Sequence, residues 1–302
     1  MGKTQFGTHS IIKKMFGTKE VVKEVCNGVV VYEKNTVKPY VTFSSPSTFT
    51  IRVNAQRKYW DGTLQYSTDK TTWSTWNGSS TLSSASDGTK YNIYIRGIGN
   101  TRLNVKLSGV DGQHYGCWVM TGSNISIIGN IENLLDYTTV ALGNHPPMAD
   151  YCFNYLFYNQ TAITDISNLE LPATTLSQYC YYTMFRNCSI TTTPKLPATT
   201  LAAYCYYYMF YSCTSLVTIP SLPATTLTAY CYATMFRGCT SIKLSTTQTG
   251  EYQTPYRIPT SGTGTTASNA MSNMFYQTGG TFTGTPTINT TYYTSNTVIP
   301  AN

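Results

Sequence analysis

The sequence predicts a mainly β, modular chain: an N-terminal β-meander, a β-sandwich, and then a solenoid of strand-plus-short-helix repeats. Three observations predict it. Residues 1–35 carry a ten-residue repeat, residues 36–108 are punctuated by closely spaced turn signals, and residues 146–245 repeat with a period near 25. Composition agrees with folded β structure. Of 302 residues only 11% are charged and 41% are hydrophobic, which excludes a coiled coil and argues against global disorder. No apolar run approaches the ~18 residues needed to cross a bilayer. Met1 to Phe16 has lysines, but it lacks the apolar core and small-residue cleavage site of a signal peptide.

In the first segment, 1–35, Phe6-Gly7-Thr8 precedes Ile11-Ile12-Lys13-Lys14-Met15. Phe16-Gly17-Thr18 precedes Val21-Val22-Lys23-Glu24-Val25, and Cys26-Asn27-Gly28 leads into Val29-Val30-Val31-Tyr32. Each unit is a glycine turn followed by a β-branched run, and Asn27-Gly28 is a strong hairpin signal. Strands this few and short make no independent core. The meander is therefore expected to dock on another surface, which makes it a candidate anchor.

Segment 36–108 reads as an antiparallel sandwich, with turns about every 8–12 residues. Thr48-Phe49-Thr50-Ile51-Arg52-Val53 alternates, as does Tyr91-Asn92-Ile93-Tyr94-Ile95-Arg96. Trp60, Trp73 and Trp76 are expected to fill its core. Asp61 and Asp69 belong to turn chemistry rather than to a catalytic pair. Segment 109–145 is a transition, with strand character over Asn124–Ile131 and a cap beginning near Glu132-Asn133-Leu134-Leu135.

The solenoid segment, 146–245, repeats most clearly. Tyr179-Cys180-Tyr181-Tyr182-Thr183-Met184-Phe185-Arg186-Asn187-Cys188 recurs from Tyr204 to Cys213 and from Tyr230 to Cys239. A diverged copy starts at Tyr151 and a late one contains Met274-Phe275. Leu-Pro-Ala-Thr-Thr-Leu stands at 171–176, 196–201 and 222–227. The phenylalanines of successive copies are 28, 25, 26 and 39 residues apart. A fixed period of this length fits one strand and one short helix per solenoid turn. The threonines after each proline read as helix caps. Leu201, Cys205, Tyr208 and Met209 then fall on one helical face. The final segment, 246–302, combines an insertion over 246–267, read as a displayed loop or hairpin, with the terminal repeat.

The unit Met-Phe-x-x-Cys-Thr-Ser-Leu together with Leu-Pro-Ala-Thr-Thr-Leu resembles BspA-like leucine-rich repeats. The resemblance implies a leucine-rich-repeat solenoid. That repeat class occurs in surface adhesins and in proteins of gut bacteriophages. Lys19-Glu20-Val21-Val22-Lys23-Glu24-Val25 with Val31-Tyr32-Glu33 is similar to the start of phage tail-associated and decoration proteins. Because the usual adhesin of the family carries a secretion signal, the balance moves toward a virion.

Chemistry-bearing residues are sparse. The net charge of +7 divides into +9 over residues 1–110 (15 Lys+Arg, 6 Asp+Glu) and −2 over 111–302 (5 and 7). The basic half carries its lysines singly on alternating strands, which fits solvated faces and edge protection rather than nucleic-acid binding. Seven of the nine cysteines lie in the repeats, without a Cys-x-x-Cys or a nearby histidine. They read as free, buried thiols and not as a zinc site. His9, His114 and His145 are scattered. No nucleophile elbow, His-Glu-x-x-His or phosphate loop is present. Asp150, Asp165 and Glu170 do not single out the facing carboxylates of a glycosidase.

The tyrosines remain. Tyr181, Tyr182, Tyr206, Tyr207, Tyr211 and Tyr232 are the candidate recognition surface, because aromatic side chains supply large contact area at low entropic cost. The function expected is non-enzymatic, with no cofactor and no metal. The chain reads as a virion protein of a tail or head fibre, anchored to other virion proteins through 1–35 and facing a host glycan or protein. A bacterial surface adhesin is the alternative, and a tail-spike glycan hydrolase the third reading. A fibre would suit a homo-oligomer, although no heptad segment drives one.

Overall fold

The computed structural model describes residues 38–54, 59–104 and 117–301, and, of the residues before 38, the backbone pairing of four short strands. The first unit of the ten-residue repeat, His9 and His114 lie outside the described residues. The chain divides into two compact units, Met1–Lys38 and Pro39–Asn302. In the first, β1 (Met15–Phe16) pairs antiparallel with β2 (Lys19–Glu20), and β3 (Lys23–Cys26) with β4 (Val29–Glu33).

The second unit is mainly β, with several sheets and none closed. Its first strands are β5 (Val41–Ser45), β6 (Thr50–Val53), β7 (Thr63–Ser67), β8 (Ser74–Trp76), β9 (Leu82–Ser83), β10 (Ala85–Ser86) and β11 (Tyr91–Ile98). They continue with β12 (Trp118–Thr121), β13 (Ile125–Asn130), β14 (Ile163–Asp165) and β15 (Leu169–Glu170). One sheet runs β14-β13-β5-β11-β7-β8, with β10 also on β11 and β15 also on β13; β12-β6-β9 forms another. Strands from beyond residue 108 thus complete the larger sheet, and β14 and β15 join β13 in parallel.

Alternation decides the core. In β5 and β6, Val41, Phe43, Ile51 and Val53 point inward and are fully buried. Trp76 and Trp118 meet edge to face at 5.3 Å, and Phe43 lies 5.8 Å from Trp118. Trp73 departs from the core expectation. It lies on the surface between Tyr40 at 5.8 Å and the guanidinium of Arg96 at 3.9 Å. Asp61 and Asp69 do serve turns: Asp61 accepts from the Thr101 amide at 2.8 Å, and Asp69 from the Thr72 amide at 2.7 Å.

Among the described residues α1 (Asn133–Ala141) is the single α-helix. Asp136 is extended inside it, and its carboxylate accepts from the Thr138 amide at 2.9 Å, restarting the helix. Gly97 of β11 is what lets α1 approach, since a Cβ there would collide with the Leu134 carbonyl.

The repeats contain no helix, contrary to the expected strand-plus-helix unit. Each is a ribbon of overlapping β-turns. From 177 to 188, the amides of Cys180, Tyr182, Met184, Arg186 and Cys188 donate to carbonyls three residues back. The intervening amides of Tyr179, Tyr181, Thr183, Phe185 and Asn187 donate to Ala203, Cys205, Tyr207, Met209 and Tyr211 of the next ribbon. Half the donors close turns and half build a ladder to the next rung, so the backbone's polar groups are satisfied without a helix. Turns of this kind need a left-handed residue at every fourth position. Tyr179, Thr183 and Asn187 have positive φ, as do Tyr204, Tyr208 and Ser212. Each costs roughly 1 kcal/mol against an ordinary conformation, a cost that the ladder and the core offset.

The residues after each left-handed position point inward. Cys180, Tyr181, Met184, Phe185 and Cys188 are buried, and so are their equivalents in the next two rungs. This inward period is four residues, near enough to 3.6 to imitate a helical face. Phe157, Phe185, Phe210, Phe236 and Phe275 stack down the core at 5.5, 5.9, 5.6 and 5.5 Å.

The Leu-Pro-Ala-Thr-Thr-Leu segments do not cap helices either. Their leucines and alanines are buried and their threonine pairs are exposed. Thr175 bridges Thr200 in parallel, and β17 (Thr226–Leu227) pairs with β20 (Thr265–Thr266). Between the repeats and the C-terminus, β16 (Thr218–Pro220) pairs in parallel with β22 (Thr297–Ile299). The expected displayed insertion is woven into structure. β19 (Thr254–Arg257) and β18 (Leu244–Ser245) flank β21 (Thr291–Thr294), and Tyr256 is buried 6.1 Å from Phe275.

Both ends of the stack are covered. The first rung accepts from the amides of Leu103 and Trp118 at Cys152 and Leu156, at 2.7 and 2.8 Å. At the far end, the Phe275 amide donates to Gly284.

Candidate functional site: the outward face of the turn ribbons

The same alternation that sends cysteines and phenylalanines inward sends three columns outward. The first is Tyr151, Tyr179, Tyr204 and Tyr230, with rings nearly parallel at 4.6, 4.7 and 4.8 Å. The second contains Tyr182 and Tyr207, stacked at 5.5 Å, with Tyr208 beside Tyr207 at 4.2 Å. Burial pushes the phenols of Tyr182 and Tyr207 upward. The third is Tyr158, Arg186, Tyr211, Arg237 and Tyr276, one residue from each rung, with tyrosine and arginine alternating.

In that third column the guanidinium carbons lie over rings. Arg186 is 4.5 Å from Tyr211 and 5.7 Å from Tyr158; Arg237 is 4.9 Å from Tyr276 and 5.7 Å from Tyr211. Tyr211 therefore has an arginine on both neighbouring rungs. The Nε of each arginine is buried without a hydrogen-bond partner. Among the described residues neither arginine forms an ion pair. No Asp or Glu occurs in the ribbons 151–159, 179–187, 204–212, 230–238 and 269–277.

Three of the six sequence-derived surface residues are corrected. Tyr181, Tyr206 and Tyr232 are 1%, 1% and 0% exposed and stack inside the core of the ribbons with Phe153. They belong to the inward column, two residues beyond a left-handed tyrosine, and present nothing to a ligand. Tyr182, Tyr207 and Tyr211 are half-buried on the outward face. Arg186, Arg237, Tyr158, Tyr208 and Tyr276 complete that face and were not singled out by sequence reasoning. For all but Tyr208, the signal that could have found them is the exchange of Arg for Tyr directly after the repeated phenylalanine.

Stacking also determines what the face can do. Rings in the first column cover one another's faces, so they offer edges and hydroxyls rather than the flat platform on which a sugar ring stacks. The third column offers the guanidiniums of Arg186 and Arg237, each only partly buried and held over tyrosine rings.

Other chemistry is limited. Glu132 is buried, and both its carboxylate oxygens lie within 3.0 Å of Nδ1 of half-exposed His145. Both residues line a cavity of about 500 Å³ with Thr175 and Ser177. Burial raises the Glu132 carboxyl, an effect partly offset by His145. The Ser177 hydroxyl donates to the Ala149 carbonyl at 2.8 Å, so the pair is not completed into a hydrogen-bonded nucleophile triad. Asp150 and Asp165 accept backbone amides of Gln178 and Ser167.

Among the described residues no three His, Cys, Asp or Glu side chains come together to hold a metal ion. No described helix is long and apolar enough to cross a membrane. No family model, curated protein or solved structure matches this chain.

Proposed function

We propose that this chain is a non-enzymatic structural protein of a bacteriophage virion, part of a tail or head fibre or its decoration, that presents its repeats for attachment to a host surface glycan or protein. In this reading the fold is an N-terminal meander, a sandwich and a BspA-like leucine-rich-repeat solenoid. The residues Met-Phe-x-x-Cys-Thr-Ser-Leu and Leu-Pro-Ala-Thr-Thr-Leu support the repeat class. Residues 1–35 dock on other virion proteins, and the repeats carry the attachment face.

The observation that carries the reading is the outward face itself. Tyrosines and arginines repeat rung by rung on a backbone ladder covered at both ends, which favours a rigid presenting surface over a cleft enzyme. Rigid aromatic and arginine side chains are the residue types that anchor interfaces.

Mass spectrometry of purified particles tests it, with peptide counts normalised to the major capsid protein. The expected result is a fixed small copy number per particle. Recovery from a bacterial envelope and absence from particles would replace this reading with the surface-adhesin alternative.

A further inference from the structure

We propose that the third column binds an anionic polysaccharide carrying one acidic group per disaccharide. This deepens the attachment reading and rests on it. Arg186 and Arg237 stand on alternate rungs, separated by the rung of Tyr211. The neighbouring phenylalanines step by 5.9 and 5.6 Å across those rungs. A parallel backbone ladder advances about 4.8 Å per rung, so the two guanidiniums repeat at roughly 10 Å.

That spacing selects among polyanions. An extended peptide presents like side chains on one face about every 7 Å, out of step with the arginines. An extended sugar chain with one uronic acid or sulfate in each disaccharide repeats its charge at a distance comparable to two rungs. Charge complementarity points the same way, because neither arginine has a counter-ion among the described residues and the ribbons hold no carboxylate.

The site is also built before a ligand arrives. Tyrosine rings from adjacent rungs hold each guanidinium, so little rotamer freedom remains to be lost on binding. The outer nitrogens of a planar guanidinium match a carboxylate or sulfate through two parallel hydrogen bonds.

Binding of the full chain to hyaluronate, an alternating uronic acid polymer, is the test, with neutral dextran and polyglutamate as controls. The chain is expected to bind hyaluronate with an affinity that falls as salt rises, and to bind both controls at least about tenfold more weakly. Arg186→Gln/Arg237→Gln is expected to lose about tenfold or more, while Lys90→Gln/Lys195→Gln, at exposed lysines outside the column, leaves binding intact. Arg186→Lys/Arg237→Lys keeps the charge without the fork and is expected to fall between the two.

Equal binding to dextran or polyglutamate, or wild-type affinity in either arginine variant, overturns the proposal. The thermal midpoint of each variant identifies any that fails to fold, and the lysine pair then decides. Particles that attach to cells through this face without binding hyaluronate would sink the acidic-sugar class and leave the attachment reading standing. Hyaluronate binding by a chain absent from particles would do the reverse.

Discussion

Arg186 holds its guanidinium 4.5 Å from the ring centroid of Tyr211, on the rung that follows its own. The contact is possible because the two residues occupy the same place in successive repeats and the backbone ladder keeps those places in register. A cation over a ring at a half-exposed site is worth about 0.5–1 kcal/mol. A double-mutant cycle of Arg186→Met and Tyr211→Leu, read by urea unfolding, should return a coupling of that size. A coupling of zero would mean that the column is an accident of spacing.

Gly238 occupies the third left-handed position of its rung, where the two preceding rungs have Asn187 and Ser212. Its φ is +75°, and a Cβ would stand 2.9 Å from the Ser212 hydroxyl oxygen. Gly238→Ala should destabilise the protein by about 1–2 kcal/mol. Most of the loss should persist with Ser212→Ala, because backbone strain remains when the hydroxyl is removed. Denaturant midpoints of the single and double variants measure both parts.

The eight described cysteines are free and buried. Burial pushes the Cys213 thiol up to about 12 and that of Cys231 up to about 11, away from the thiolate needed for reaction. At pH 8 the native protein should expose at most one of its nine thiols to an aromatic disulfide reagent; all nine should react in denaturant. Rapid labelling of several thiols in the native protein would contradict the packed inner columns.

Glu132 supplies the pH dependence. Burial raises its carboxyl, and the hydrogen bond and charge of His145 lower it in part. A raised value in the folded state means that folding holds the proton more tightly than the unfolded chain does. The stabilising contribution is complete below the ordinary glutamate value of about 4.3 and is lost as pH rises through the folded value. Glu132→Gln should remove this slope, so that wild type loses stability relative to the variant from about pH 4 upward. Unfolding midpoints from pH 4 to 8 check the sign. A slope that survives the substitution would assign it to other groups.

Much of the architecture was legible before the structure. The repeated Cys and Phe positions aligned the units correctly, and those residues do form the inner columns, because a stack of identical units must bury identical positions. The local shape was not legible. A ribbon of alternating turns buries residues with a period of four, and a helix does so with a period of 3.6. Across the ten residues of one unit the two patterns are hard to separate. Asn187, Ser212 and Gly238, turn-forming residues just before the last cysteine, were the contrary signal.

Composition and spacing by themselves determined a mainly β chain, a repeat near 25 residues, and thiols too dispersed in sequence for a metal motif. Tertiary structure alone decided which of two adjacent tyrosines, Tyr181 or Tyr182, enters the core. Both are equally apolar, and only the ladder to the next rung, which commits alternate amides, orients their side chains. Tertiary structure also brought Glu132 to His145, and set Arg186 and Arg237 on either side of Tyr211. Those relationships join different rungs or loops, and distance along the chain carries no record of them.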